Sequence, residues 1–438
     1  MKDRNFARFV LPNVLAMVGT SCYVIADTYF ISVAEGSDGI AALNLVLPLY
    51  GLLFALGSMT GTGSATRFAL LNATGNAEGR DYFFNSVFWS VCLSFPFLVA
   101  GIFFPDKVLQ LLGADGNLVM LGKDYTRIVL CFSPFFIVNY TFTAFVRNSG
   151  SPGIAMAATV VSGAFNIAAD YVFMFPFGMG MGGAALATGI SPVISIVICL
   201  TGLLKKRDLF RLSFRCVSFV KLIKSWSLGV SAFVGEISVS LTTLIFNFIL
   251  LGLAGNTAVA AYGVISNTAL VVTAMLNGVS QGMQPVASGY FGKGEDKALK
   301  SVYVKTLSLS VAIGALSLIV VGAAAEIVVA LFNTEGSAAL AEIAEPGIRL
   351  YFVGFLFAAV NVANAGFYSA TGRGADASAI SVSRGFICIS VAALVLSETL
   401  GIVGVWLSFA VAEIAAFVIG IAFSALKKKI GRKRSVSV

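Results

Sequence analysis

The sequence predicts an all-α integral membrane protein of twelve transmembrane helices, arranged as two pseudo-symmetric six-helix bundles. Three observations lead there. Hydrophobic residues fill 58% of the 438 positions and charged residues only 11%, against about 45–50% and about 25% in a soluble domain; the mean hydropathy is +0.92. Twelve stretches have the length and apolar content a helix needs to cross about 30 Å of hydrocarbon. Residues of the first six stretches recur in order in the last six.

Charges and turn signals place the spans near 8–33, 39–66, 84–104, 124–146, 153–175 and 182–204, then 225–253, 258–290, 303–331, 347–370, 377–397 and 401–425. The run from Ile237 to Gly292 carries no charge and is too long for one crossing, so Ala254-Gly255-Asn256-Thr257 is expected to divide it. The N-terminus reads Met-Lys-Asp-Arg before an apolar run from Phe9 past Phe30. With no small-residue cleavage site, this is expected to be an uncleaved first helix rather than a signal peptide. The expected organisation is a first bundle over 1–204, a cytoplasmic linker over 205–224, a second bundle over 225–426 and a basic cytoplasmic tail over 427–438.

Orientation follows from the basic residues. Twenty-five of the 29 Lys and Arg fall on the side of the membrane that holds the N-terminus, and only Lys107, Lys123, Arg127 and Arg349 fall on the other. Positive charge marks the cytoplasmic side, so both termini are expected in the cytoplasm, with the chain in the cell membrane. The net charge of +8 is then a matter of topology and anionic lipid headgroups, not of nucleic acid. The seven basic residues of the linker suit a segment lying on the membrane surface. There is no histidine, which excludes a His-ligated metal and leaves proton chemistry to carboxylates, tyrosines and water. Cys22, Cys92, Cys131, Cys199 and Cys388 lie in apolar stretches and Cys216 in a basic loop; none has metal or redox spacing, and small apolar fillers is the plain reading. No cofactor is expected.

The repeat is read position by position. Ile40-Ala41-Ala42 echoes Val259-Ala260-Ala261, and the same offset pairs Gly63 with Gly282 and Gly75 with Gly294, as glycines closing the second helix of each half. A slightly larger offset pairs Asn139, Phe145 and Gly150 with Asn361, Phe367 and Gly372, and Gly180 and Gly183 match Gly401 and Gly404. Six is even, so both halves enter the membrane alike and relate by an axis along its normal. Such repeats are typical of transporters, with the substrate between bundles that rock against each other. The alternative is a duplicated scaffold that moves nothing.

Four acids fall well inside spans: Asp27, Asp170, Glu236 and Glu413. A charged Asp at mid-bilayer costs about 2.5–3.5 kcal/mol on insertion scales, so each is a functional candidate. Asp27 lies eight residues before Glu35, Asp170 six before Pro176, and Thr188 six after Gly182. At about 1.5 Å per residue, these three share one depth in the outer half of the first bundle. Asn166 is on the face of Asp170, one turn deeper. Asp27, Asp170, Asn166 and Thr188 therefore form an oxygen-rich cluster able to take a proton or a hard cation such as Na⁺; beyond that, no metal is expected. The plainer readings are interfacial carboxylates bonding helix ends, and interhelical hydrogen bonds for Asn166 and Thr188. Tyr23, one turn from Asp27, either shares its proton or simply packs. Glu236 and Glu413 lie near mid-membrane in the second bundle, for substrate contact or secondary coupling, with a buried structural hydrogen bond as the rival reading of Glu413. Pro12, Pro48, Pro96, Pro134 and Pro192 interrupt helices of the first half, against Pro285 alone in the second. Proline permits kinking, and Pro12, on the helix of Asp27, is a candidate hinge or a static kink. No basic residue is assigned to the membrane core. Aromatic faces from the 37 phenylalanines plus a few acids would suit cationic amphiphiles.

Several stretches carry a family resemblance: Tyr23-Val24-Ile25-Ala26-Asp27-Thr28-Tyr29-Phe30-Ile31 in the first helix; Gly61-Thr62-Gly63-Ser64-Ala65 with Gly75-Asn76; Gly282-Met283-Gln284-Pro285 with Gly292-Lys293-Gly294; Asn139 and Arg147-Asn148-Ser149-Gly150; and Asn166-Ile167-Ala168-Ala169-Asp170. Over nearly its whole length the sequence resembles the multidrug and toxic compound extrusion (MATE) family. The resemblance implies a V-shaped pair of bundles with a central cleft, and export of cationic amphipathic compounds against H⁺ or Na⁺. It implies a coupling site in the first bundle at Asp27, Asp170, Asn166 and Thr188, to which Asn139 and Tyr23 are added as candidates. Glu236 matches an acidic seventh-helix position that some members use together with an acid on helix 10. Here the stretch Phe357-Ala358-Ala359-Val360-Asn361-Val362-Ala363-Asn364 has no acid, so the chain is closer to the type with the first-bundle Asp pair.

The expected function is that of a monomeric secondary active multidrug exporter and not of an enzyme, since no nucleophile constellation or metal motif is present. The rivals are a lipid-linked precursor flippase of the same superfamily, for which extra helices and a cationic cavity would be expected, and a non-transporting scaffold. Asp27 falls on Phe246 of the second half and Asp170 on Ala392, so the coupling chemistry is expected mainly in the first copy.

Overall fold

The computed structural model describes residues 2–114, 116–333 and 337–435, and every regular element among them is helical. Nine helical segments are long and apolar enough to cross a membrane, and two bent pairs qualify as further spans. One of the nine, Phe219–Gly292, has 74 residues and leaves helical geometry at Ala254 and Gly255. At about 1.5 Å per residue it is far longer than one crossing, and the break makes it two. The crossings are α1 (Phe6–Gly36), α2 (Ala42–Ala73), α3 (Ala77–Phe103), α4 (Val119–Cys131 with Ser133–Asn148), α5 (Pro152–Met174), α6 (Gly180–Leu204), α7 (219–253), α8 (256–292), α9 (Asp296–Ala323), α10 (Ala338–Phe352 with Phe355–Ala370), α11 (Gly374–Leu400) and α12 (Ile402–Ala422). The helix of α12 runs on to Ser435, while 436–438 of the expected tail lie outside the described residues.

Between α1 and α2 the chain reverses at Gly36, whose φ of 62° and ψ of −145° only glycine adopts without strain. Gly255 at φ 68° does the same between α7 and α8, so each half turns its first hairpin on a glycine. Gly75 and Gly294, at φ 74° and 70°, end the second helix of each half as the repeat predicted.

Gly63 and Gly282 do not end helices. Both lie inside them, where the sequence had read an exit, and their missing side chains serve a contact. A Cβ on Gly282 would sit 2.7 Å from Val10 Cα of α1, and one on Gly63 would collide with the Ser225 carbonyl of α7. The same glycine of each copy thus makes one of two opposing seams, α2 against α7 and α8 against α1. Gly229, against the Met59 backbone, and Gly278, whose Cβ would lie 2.6 Å from Val14 Cα, extend the two seams. Trp226 Nε1 donates to Thr60 Oγ1 at 3.2 Å across the first. Both seams lie at the end of the bundles that bears the N-terminus.

The proline asymmetry is smaller than the sequence suggested. Pro134 opens the second segment of α4 at its 44° bend rather than interrupting a helix, and Pro346 joins Pro285 inside a helix of the second half. The tenth span had been started at 347, one residue too late to include it.

The link between the halves is held against the first. Phe210 packs on Phe68, Phe83 and Phe145 at ring distances of 5.4, 5.1 and 6.0 Å. Asp81, at the start of α3, accepts from Lys221 at 2.7 Å and from the Cys216 thiol at 3.3 Å, and Arg211 lies at 3.6 Å. The Ser218 amide donates to Asn85 Oδ1 at 2.7 Å. Burial, reinforced by the hydrogen bond to Asp81 and its charge, pushes the Cys216 thiol up from the ordinary cysteine range.

Candidate functional site

The site is built on the packing of α1 along α5. Gly19 lies against Val160, the Tyr23 ring is 3.1 Å from where a Cβ on Gly163 would stand, and the rings of Phe30 and Tyr171 are 6.2 Å apart. The two helices therefore run side by side in parallel register. That register sets Asp27 beside the turn holding Asn166 and Asp170, and the Asp27 charge acts on Asp170. Asn166 Nδ2 donates to Asp170 Oδ1 at 3.4 Å and to Thr188 Oγ1 of α6 at 3.1 Å. Asn166 and Asp170 are both 0% exposed and Asp27 and Thr188 half-buried, so this is a polar centre sunk into an apolar bundle.

Its hydrogen-bond balance is one-sided. Asp27 Oδ1, Asp170 Oδ2 and Asn166 Oδ1 are buried and face no donor. Buried acceptors without donors are costly, and a proton or a small hard cation is the species that relieves an excess of oxygens. The donor set of two carboxylates, an amide oxygen and a hydroxyl fits either. No group of three or more His, Cys, Asp or Glu side chains with metal-binding spacing occurs among the described residues.

Tyr23 stands one turn from Asp27, and both Asp27 and Glu236 act on it electrostatically. Glu236 is half-buried on α7 and within charge range of Tyr140 of α4 as well. It therefore belongs to the space between the halves. Asn139 Oδ1 is buried without a donor, but among the described residues no hydrogen bond joins Asn139 to the Asp27–Asp170 cluster. Pro12 lies inside α1. The next residue, Asn13, accepts from Arg147 Nη1 at 3.0 Å, and the same Nη1 donates to Gln281 Oε1 of α8 at 2.9 Å. Glu35, at the far end of α1, accepts at 3.3 Å from the Met181 amide in the first turn of α6, where a negative charge is favoured by the helix dipole.

Comparison with known proteins bears on this geometry. The MatE family model matches residues 12–172 and again 232–394. The chain belongs to the MATE family. The double match places one copy of the family unit in each half, as the repeat had indicated. Among curated relatives, the multidrug export protein MepA of Staphylococcus saprophyticus is 26% identical over 419 residues, covering 94% of this chain and 90% of the relative. MepA of Staphylococcus aureus strain MRSA252 is 26% identical over 410 residues, covering 92% and 89%. Among solved structures, an outward-facing multidrug resistance MATE family transporter of the MOP superfamily superposes with a TM-score of 0.90 at 21% identity, over 99% of this chain and 97% of that one. A MOP superfamily transporter from Pyrococcus furiosus, described as having a binding pocket of reversed polarity, superposes at 0.89 with 20% identity, over 97% and 96%. The all-helical, V-shaped membrane fold expected from the sequence is the fold of the MATE transporter structure, and members of this family are transporters, not enzymes.

One expectation about this MATE chain is overturned. The membrane core does hold a basic residue, Arg384, and a second arginine, Arg147, is buried at the end of α4. Arg147 is 5% exposed and bridges α1 and α8. Arg384, counted from sequence with the cytoplasmic loops, lies ten residues into α11 and pairs with Glu413. Its Nε and Nη2 reach Glu413 Oε1 at 2.9 and 2.5 Å, and Nε also reaches Oε2 at 3.1 Å. Asn361 Nδ2 of α10 donates to Oε2 at 2.7 Å. Both pairings were missed for the same reason: each arginine was counted, from its charge, with the cytoplasmic side of the membrane. Depth was the available signal, since Arg384 and Glu413 are ten and eleven residues into neighbouring antiparallel helices of similar length. For Arg147, the turn Ser149-Gly150-Ser151-Pro152 already places it in the last turn of its helix.

Proposed function

We propose that this MATE protein is a secondary active multidrug exporter that antiports cationic amphipathic compounds against H⁺ or Na⁺ by alternating access. The observation that carries the reading is the buried cluster of Asp27, Asp170, Asn166 and Thr188, with three acceptors that lack donors. The naming of the MepA relatives as multidrug export proteins, over nine-tenths of this chain, supports the same reading. A cation entering the cluster would draw Asp27 and Asp170 together, and with them α1 and α5. Helix α1 also carries Pro12 and Asn13, and Asn13 is tied through Arg147 to α8. The coupling ion would thus act on the helix that closes one seam between the halves. Substrate would bind in the cleft near Glu236, Tyr23 and Tyr140, where one acid and aromatic faces suit an organic cation. Linkage requires that substrate weaken cation binding by the factor by which the cation weakens substrate binding.

In this reading the protein is a monomer in the cell membrane with both termini cytoplasmic. Bundles over 1–204 and 225–426 rock about the linker at 205–224, and no cofactor takes part beyond the coupling ion. A flippase for anionic lipid-linked precursors would need free cationic groups facing the cleft. Arg384 is neutralised by Glu413 and Arg147 is built into a seam, so the exporter reading is preferred.

The test is efflux of a fluorescent cation from proteoliposomes with pH and sodium gradients imposed separately. One gradient should drive efflux and the other not, and Asp27→Asn should abolish the driven component. Undiminished ion-driven efflux in Asp27→Asn would sink the coupling role of the cluster.

A further inference from the structure

This inference rests on the coupling reading above and concerns the other bundle. The repeat assigns a partner to each residue of the cluster. Asp27 falls on Phe246, Asn166 on Cys388, Asp170 on Ala392 and, by the offset that pairs Gly180 with Gly401 and Gly183 with Gly404, Thr188 on Phe409. Phe246, Cys388 and Ala392 are buried, at 0, 9 and 7% exposure, and Phe409 is half-buried against Tyr351 and Phe355, so apolar packing occupies the place that holds oxygens in the first bundle. The polar centre of the second bundle lies about one turn deeper on the equivalent helix pair, α11 and α12. Arg384 is four residues before Cys388 on the outward-running helix, and Glu413 four after Phe409 on the returning one.

The two centres differ in their balance. In the first bundle, carboxylate oxygens lack donors. In the second, both oxygens of Glu413 are satisfied: Oε1 twice by Arg384, and Oε2 by Arg384 and Asn361. Glu413 is 3% exposed, and a fork of this kind matches carboxylate geometry closely. Arg384 sits on a π-helical turn, Ser383–Cys388. Such turns carry one extra residue and locally re-aim side chains. The next residue, Gly385, lies against Ser238 of α7, with Ser238 Cβ 2.7 Å from where a Cβ would be. The turn is thereby wedged on one side while the guanidinium spans to α12 on the other.

We propose that Arg384 is a tethered cation: it holds permanently, at Glu413 and Asn361, the place that a mobile ion takes at Asp27 and Asp170. Two consequences follow. Ions are exchanged through the first bundle alone. Removing the Arg384 charge converts Glu413 and Asn361 into a new site for a small cation, H⁺ or Na⁺.

The experiment counts ions. Purified protein in nanodiscs is titrated with ethidium while proton release and ²²Na⁺ displacement are measured. Folding is checked by thermal melting and size-exclusion chromatography. The neutral pair Arg384→Met/Glu413→Gln should exchange the same number of ions per ethidium as the parent, and Arg384→Met alone should bind one additional cation per protein. Adding Glu413→Gln should abolish that extra cation. A lower ion count in the double variant, or a folded Arg384→Met that gains no cation, overturns the proposal. Should Arg384→Met fail to fold, the double variant decides by itself, because it leaves no buried unpaired charge. Asp27→Asn keeps the two readings apart. If it retains part of the ion exchange, and the double variant loses that part, the tethered-cation inference falls while coupling at Asp27 stands. If it retains all of it, the coupling reading falls first.

Discussion

The seam between α1 and α8 offers a perturbation whose size can be worked out. Gly278→Ala would place a Cβ 2.6 Å from Val14 Cα, 2.9 Å from Val14 N and 3.0 Å from the Asn13 carbonyl oxygen. These are backbone atoms and cannot rotate away. Non-bonded carbons settle at about 3.5–4.0 Å, so α1 has to withdraw by about 1 Å. The Arg147–Asn13 bond is 3.0 Å long, and a further 1 Å takes it beyond hydrogen-bonding range. Overpacking of this kind costs about 1–3 kcal/mol, and a hydrogen bond to a charged group contributes about 1.5–3 kcal/mol. With partial relaxation, a combined destabilisation of about 2–4 kcal/mol follows, and at about 1.4 kcal/mol per factor of ten the closed seam becomes roughly 30- to 700-fold less favoured. Spin labels at Leu11 and Phe291, in a background without native cysteines, report the α1–α8 separation by double electron–electron resonance. The expected result is a longer, broader distance distribution, a lower Tm and slowed ethidium efflux. Gly263→Ala, with nothing within 4 Å of the new Cβ, serves as the control. A Gly278→Ala protein with the parent's distance distribution and Tm would refute the account of the seam.

The same seam predicts the opposite response to added charge. Gln281→Glu turns a guanidinium–amide contact into an ion pair with Arg147, which should raise the Tm by several degrees and slow ethidium efflux at least tenfold while ethidium still binds. Asn166→Leu removes the one amide that links Asp170 to Thr188; ion-driven efflux should fall at least tenfold with little change in melting temperature. At Asp81, the Asn substitution withdraws the negative charge that acts on Cys216 and weakens the acceptor it donates to. The thiol then returns toward the ordinary cysteine range, so more thiolate is present at a given pH and maleimide labelling at pH 8 should be several-fold faster than in the parent; an unchanged rate would show that burial alone controls the thiol.

The fold was legible because it rests on lengths and repeats. Apolar runs of helical length, glycines at matching offsets and the division at Ala254-Gly255 required no knowledge of side-chain contacts. The cluster was legible for a related reason. Counting residues from a helix end gives depth, and Asp27, Asp170 and Thr188 came out level before any contact was known. What could not be read was lateral: which face of one helix meets which face of another. Gly63 and Gly282 look like helix stops because glycine disfavours helix interiors, and only the approach of α7 and α1 shows that their value is close contact. Arg147 and Arg384 look like loop residues because charge is costly in lipid; inside a bundle, partners such as Gln281 and Glu413 offset that cost. The bends were not legible either: α4 and α10 each consist of two segments meeting at 44°, although their apolar runs at 124–146 and 347–370 read as single crossings.

Having both seams at one end has a mechanical consequence. Neighbouring helices pack about 8–10 Å apart, so about 1 Å of play across a seam amounts to a tilt of roughly 6°. Carried along about 30 Å of helix, that tilt moves the far end by about 3 Å. The glycines at the closed end therefore act as a short lever arm. A displacement too small to disturb the packing there is enough, at the opposite face, to open or close a gap of several ångströms.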